Sequence, residues 1–235
     1  MMSYKNKLQL IKEQQLKEDP NCYTPDDQKE LSNTKQTDKT ANLFEQLQAA
    51  MQVDAARLKA EKKLEDKIRI KSELIPHYIE FVDDYVEQGY DYPCDVAVQV
   101  MVWLFDTGEI ERALTLGLHL IAIGNQTLPP RFNRDIPTFI ADAIYDWSNE
   151  QLKNEQTASP YLDLLVSVME KSKWDLHPAV KSKNLAMMAK HKFREKDFKL
   201  CFELCNRAEV ANPEGAGVKT LKNKALELIK KDSTE

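Results

Sequence analysis

Between Val100 and Arg134 the apolar positions return every three or four residues, the spacing of one face of an α-helix. Val98, Met101, Val102 and Phe105 make the first such set. Asp106-Thr107-Gly108-Glu109 interrupts it, and Ile110, Ala113, Leu114, Leu118 and Ile121 resume it as far as Gly124. A glycine turn between two apolar faces predicts a tight helical hairpin that buries its shared side. Upstream, Leu74 to Asp95 predicts a helix opening at Pro76, with Tyr78, Ile79, Phe81, Val82 and Tyr85 inward, Gly89 as its end and Asp95 capping the next helix. Downstream, the loop NQTLPPRFNRD leads into a helix begun by Pro137, with Phe139, Ile140, Ala143, Ile144 and Trp147 on its apolar side.

The flanks carry weaker patterns. Residues 1–40 are dominated by Asn, Gln, Lys, Asp, Thr and Ser and predict a solvated, flexible arm, with at most a short helix from Tyr4 to Lys17. Residues 41–73 lack Pro and Gly and predict one long, polar helix. Phe44, Leu47, Met51, Leu58 and Ile68 fall near a heptad seam, a weak coiled-coil signal because Asp54, Glu61 and Glu65 occupy other positions of it, and such a helix suits packing along a partner chain or one side of the main body. Residues 74–152 form the expected helical core. Residues 153–231 follow a polar connector as a C-terminal subdomain, with Ser159 as N-cap and Pro160 at the first position of its leading helix. Within it Phe198, Cys201, Phe202, Cys205, Ala208 and Pro213 match the small-and-large alternation of a tetratricopeptide-like hairpin. The fold expected is all-α: a long N-terminal helix, then a helical-hairpin bundle.

Composition agrees with that class, since six glycines in 235 residues leave little turn-rich sheet and Lys, Glu, Gln, Leu and Ala favour helix. A net charge of −5 supplies no global attraction to nucleic acid, so a local patch must do so. The best patch is the second half of the long helix. Arg57, Lys59, Lys62, Lys63, Lys67, Arg69 and Lys71 stand there against Glu61, Glu65 and Asp66. Arg131 and Arg134 flank Phe132 in the following loop, a combination suited to phosphate or protein contact. Cys22, Cys94, Cys201 and Cys205 are too scattered for a zinc site and read as free thiols. The N-terminus has no leader pattern, and no apolar run is long enough to span a bilayer, so the expectation is a soluble cytoplasmic protein.

Catalytic signatures are missing: there is no Gly-rich phosphate loop, no GxSxG and no HExxH. His77 has no second ligand at metal spacing. Asp83-Asp84, Asp142 with Asp146, and Asp163 are the carboxylates available to a metal-dependent nuclease, but each lies on the polar edge of a predicted helix. No catalytic residue, metal or cofactor is therefore assigned.

The run MVWLFDTGEIERALTLGLHLI, the LPPRF loop and PTFIADAI resemble the small terminase subunit family of tailed temperate phages, the gene M type labelled terminase endonuclease subunit. Met101, Val102, Trp103, Asp106, Gly108, Ala113, Leu114, Pro130, Arg131, Phe132 and Arg134 occupy matching places. Glu73 to Tyr78 and Ala216 to Leu221 match as well, so the resemblance spans about residues 42–230. It implies a ring-forming homo-oligomer in the host cytoplasm that recognises double-stranded phage DNA at its packaging site and delivers it to the large ATPase and nuclease subunit. Arg57, Lys59, Lys62, Lys63, Lys67, Arg69, Lys71, Arg131 and Arg134 become the expected DNA contacts. Phe44, Leu47, Met51, Leu58, Trp103 and Phe132 become the expected oligomer or packing residues. Two alternatives stay open: a helical adaptor of the packaging complex that does not touch DNA, and the metal-dependent endonuclease itself.

Overall fold

The computed structural model describes residues 30–172 and 174–232, and among these the chain is all-helical. The expected helix at Tyr4 to Lys17 and the thiol of Cys22 lie outside the described residues. The chain divides into two compact units, Met1–Lys62 and Lys63–Glu235.

The first unit is represented by α1, Glu30–Ala60, so residues 30–40, expected in the flexible arm, are helical. The single helix expected over residues 41–73 is instead interrupted at residues 61–63. Glu61 Oε1 accepts the Lys62 backbone N–H at 2.7 Å, drawing that donor out of the helical ladder, and Lys63 is extended. A fresh helix then opens with Glu65 and Asp66 in its first turn, where negative charge meets the positive end of the helix dipole.

That helix, α2 (Leu64–Glu87), begins the second unit and carries Pro76 in its interior rather than at its start, which places His77 mid-helix. Proline removes one ladder hydrogen bond, and here the residue faces water, where the orphaned Ser72 carbonyl can be hydrated. The opposite side of α2 buries Ile70, Leu74, Ile75, Tyr78, Phe81, Val82 and Tyr85.

Next, α3 (Asp95–Asp106) is buried on all sides from Val96 to Leu104, as a helix apolar around its whole circumference must be. Its N-cap is Cys94, whose Sγ accepts from the Ala97 N–H at 3.4 Å; Asp95 is the first helical residue, not the cap. Gly108, at φ +82°, makes the turn into α4 (Ile110–Ile123). The buried face of α4 runs through Ile110, Ala113, Leu114, Leu116, Gly117 and Leu120, while Leu118 and Ile121 are half-buried. A Cβ on Gly117 would overlap Ile140 Cδ1 and come within 3.0 Å of Met101 Sδ, so this glycine sets how closely α3, α4 and α5 meet.

The fifth helix, α5 (Ile136–Lys153), is capped by Asp135 Oδ1 on the Thr138 N–H at 2.9 Å and buries the i, i+4 row Ile136, Ile140, Ile144 and Ser148. The sixth, α6 (Tyr161–Lys171), starts one residue later than expected. Pro160 flanks it and no side chain caps it, so Ser159 is not its N-cap. Three more helices follow: α7 (Pro178–Arg194), α8 (Phe198–Ala211) and α9 (Lys219–Asp232). Packing is largely serial, α2 on α3, α3 on α4, α4 on α5, then α5 on α7, α7 on α8 and α8 on α9, with α6 lying against α4, α5 and α7. The core follows this stack, with Trp103 and Tyr78 edge to face at 5.7 Å near its beginning.

Candidate nucleic-acid and partner surfaces

The interruption at residues 61–63 divides the expected basic stripe. Arg57 and Lys59 occupy the last turn of α1 and are exposed, and Lys62 follows them in the first unit. Lys63, Lys67, Arg69 and Lys71 belong to the second. The stripe is therefore not one helical face. Its members also differ in what holds them. Arg69 bridges Asp66 (3.3 Å) and Glu73 (2.9 Å) on its own helix, and these partners raise its pKa above the ordinary arginine value. Lys71, only 14 % exposed, reaches Asp106 at the end of α3 at 2.6 Å. These two cations brace the fold. Lys59, Lys62 and Lys67 form no ion pair with another described residue.

The loop between α4 and α5 is built around a turn in which the Phe132 N–H donates to the Pro129 carbonyl at 2.9 Å. Pro130 occupies the second position, which its fixed φ suits, and this sets Arg131 at the tip. Arg131 is exposed, lies 4.8 Å from the centre of the Phe132 ring and donates from Nη2 to Gln99 Oε1 at 3.2 Å. Phe132 in turn meets Phe139 edge to face at 5.3 Å, and Phe139 meets Phe105 at 5.7 Å, forming a half-buried aromatic row. Arg134 behaves differently. It pairs with Asp142, which also accepts from Lys183 at 2.5 Å, so two cations converge on one carboxylate.

Three of the five carboxylates weighed for metal chemistry are engaged likewise: Asp83 with Arg112 at 2.6 Å, Asp142 as above, Asp163 with Lys192 at 3.1 Å. Among the described residues no three of His, Cys, Asp or Glu gather into a metal-holding group. Cys94, Cys201 and Cys205 are buried free thiols, and burial pushes Cys94 up to about 12. At the far end of α2, Tyr85, Tyr90 and Tyr92 pack together, Tyr85 donating to the Tyr92 carbonyl at 2.5 Å, and burial raises the phenols of Tyr85 and Tyr92 to about 12. The Cys94 thiol and these two phenols stay protonated at neutral pH. Phe44 and Leu47 are half-buried on α1, Met51 and Leu58 are buried there, and Leu43 and Val53 are exposed. Trp103, at 1 % exposure, is a core residue with no surface to offer a partner.

Residues 48–178 match the family profile described as phage small terminase subunit, more than half of the chain. The chain belongs to this family. Among curated relatives, it is 30 % identical over 194 residues to the probable terminase, endonuclease subunit of Haemophilus phage HP1 (strain HP1c1), covering 77 % of this chain and 68 % of that protein. It is also 30 % identical over 104 residues to the terminase, endonuclease subunit of Escherichia phage P2, covering 44 % of this chain and 42 % of that one. No solved structure matches. The small-terminase match takes in all nine basic residues considered above and the whole α4–α5 loop, and ends as α7 begins.

Two residues of the loop site were not singled out by sequence patterning. Gln99 interrupts an apolar helical run, and a lone amide in a fully buried segment is the signal that could have drawn attention to it. Lys183 lies far from Asp142 in sequence, and nothing in its local pattern marks the contact.

Proposed function

We propose that this chain works as the DNA-recognising, assembly-forming subunit of a phage packaging complex in the host cytoplasm. It binds double-stranded phage DNA at the packaging site as a homo-oligomeric ring and hands it to the large terminase subunit, which supplies the ATPase. Membership of the small terminase subunit family carries this proposal. It is supported by the exposure of Arg57, Lys59, Lys62 and Lys63 and by the absence of an ion pair between Lys59, Lys62 or Lys67 and another described residue. Repetition around an oligomer would turn this modest charge into avid, salt-sensitive binding. Arg69, Lys71 and Arg134, tied to carboxylates, are assigned to holding the structure. The apolar strip of α1, with Leu43, Phe44 and Leu47, is assigned to contact between copies, residues 74–152 to the packing core and residues 153–231 to a helical subdomain stacked on it.

Reversing Lys62, Lys63 and Lys67 to Glu together should abolish the shift of packaging-site DNA at about 0.1 M salt. It should also flatten the dependence of log affinity on log salt by about 0.9 for each phosphate no longer neutralised. Unchanged affinity would remove these lysines from DNA recognition. Light scattering on the same samples reads the mass of the assembly.

A second proposal, an adaptor that joins the complex without touching DNA, draws support from the internal pairing of three of the nine cations. The relatives carry the name endonuclease subunit; here cleavage is assigned to the complex, and nicking of DNA by the pure chain with a divalent cation would reassign it.

A further inference from the structure

Every residue of α3 from Val96 to Leu104 is buried, and one of them, Gln99, is polar. It is 6 % exposed, its Oε1 accepts from Arg131, and its Nε2 has no acceptor. A leucine would fill similar space without stranding an amide donor, so the fold alone does not call for glutamine there. What the glutamine does is hold Arg131. From above, the guanidinium lies against the Phe132 ring; from below, it is tethered to the buried amide. Arg131 forms no ion pair with a described residue, whereas Arg134, three positions on, is neutralised by Asp142.

The loop thus leaves one cation uncompensated and fixes it in position beside the Phe132–Phe139–Phe105 row. A fixed guanidinium presents its remaining N–H groups in the fork that a carboxylate fills, at less entropic cost than a mobile side chain. The neighbouring phenyl edges offer apolar area to whatever residue adjoins that carboxylate. A nucleic-acid backbone is served less well, because its phosphates need a track of cations, and the next two here, Arg134 and Lys183, already share Asp142 with Asp135 close by in sequence. We propose that Arg131, positioned by Gln99, together with the row of Phe132, Phe139 and Phe105, docks an acidic-aromatic segment of a partner protein. Arg131 pairs with the carboxylate, and the aromatic side chain covers the phenyl row.

Fluorescence anisotropy on the full chain tests this with three labelled probes: a peptide of alternating glutamate and phenylalanine, its glutamine counterpart, and a short DNA duplex. The wild type should bind the glutamate peptide at least about tenfold more tightly than the glutamine peptide. Arg131→Gln and Gln99→Leu should each erase that preference, and Gln99→Leu should melt no lower than the wild type, which separates loss of the tether from loss of the fold. Equal affinity for the two peptides overturns the proposal, and so does a preference that survives both substitutions. Duplex binding that Arg131→Gln removes, without any glutamate preference, overturns it in favour of a nucleic-acid contact. DNA recognition through the α1 and α2 lysines is read separately, by the Lys62, Lys63 and Lys67 reversal, and survives either result.

Discussion

His191 shows how one buried side chain ties stability to pH. It is 2 % exposed on α7, its Nε2 meets the Ser148 carbonyl of α5 at 2.9 Å, and its Nδ1 has no partner. Burial holds its pKa below the ordinary 6.5, with the Ser148 carbonyl and the charge of Glu195 pulling partly back and the charges of Arg194 and Lys192 adding to the depression. As pH falls below about 6.5 the unfolded chain takes up a proton that the native state resists, so stability is full above that pH and declines through the acid range. Urea midpoints should therefore drop between about pH 7.5 and pH 5.5. His191→Gln should shrink that drop, leaving the part contributed by His119, whose pKa burial also lowers. An undiminished drop in His191→Gln would remove His191 as its source.

At the scale of the element, Gly117 lies where side chains of α3 and α5 press against α4. Valine there must displace Ile140 and Met101, both fully buried. Overpacking of this kind costs about 1–3 kcal/mol, so Gly117→Val should lower the unfolding free energy by that amount in a denaturant titration, with helical circular dichroism retained. Gly117 also marks where sequence pattern stops being informative. Periodicity identified α3, α4 and α5 and most of the inward side of α2, because apolar burial imposes a 3.6-residue rhythm that composition cannot hide. It assigned Leu118 and Ile121 to the buried side of α4, where Gly117 and Leu120 are deeper, because a glycine contributes no hydrophobic signal however close the packing. The end of α1 at Ala60 was hidden for a different reason. No proline or glycine marks it, only a glutamate that captures the next backbone N–H. Pro76 misled in the opposite sense, since proline is tolerated inside α2 where its face is wet. Of the loop site, Arg131 and Phe132 were legible as a basic, aromatic turn. The Gln99 tether was not, because the pairing spans 32 residues and depends on how α3 lies beneath the loop.

Across the whole second unit, charge is layered along the stack. From Ser72 to Glu111 the chain has ten carboxylates and no lysine or arginine, which leaves only negative charges on α2 beyond Lys71, at the two ends of α3 and at the start of α4. α7 and α9, by contrast, are rich in lysine. Such segregation repels a polyanion from one end of the body and orients its approach, whatever the net charge. The serial order of the stack has its own consequence. Helices that pack on their neighbours in sequence close short loops, so the body can assemble without waiting for distant segments to meet. The last helix, α9, rests chiefly on α8 and buries only Ala225, with Val218 seated just before it. Its backbone amides should trade hydrogen for deuterium ahead of those in α3, whose every turn is enclosed, and the order of exchange should climb the stack inward from α9 through α8. The molecule would then breathe from its C-terminal end, one helix at a time, while its apolar centre keeps its protons longest.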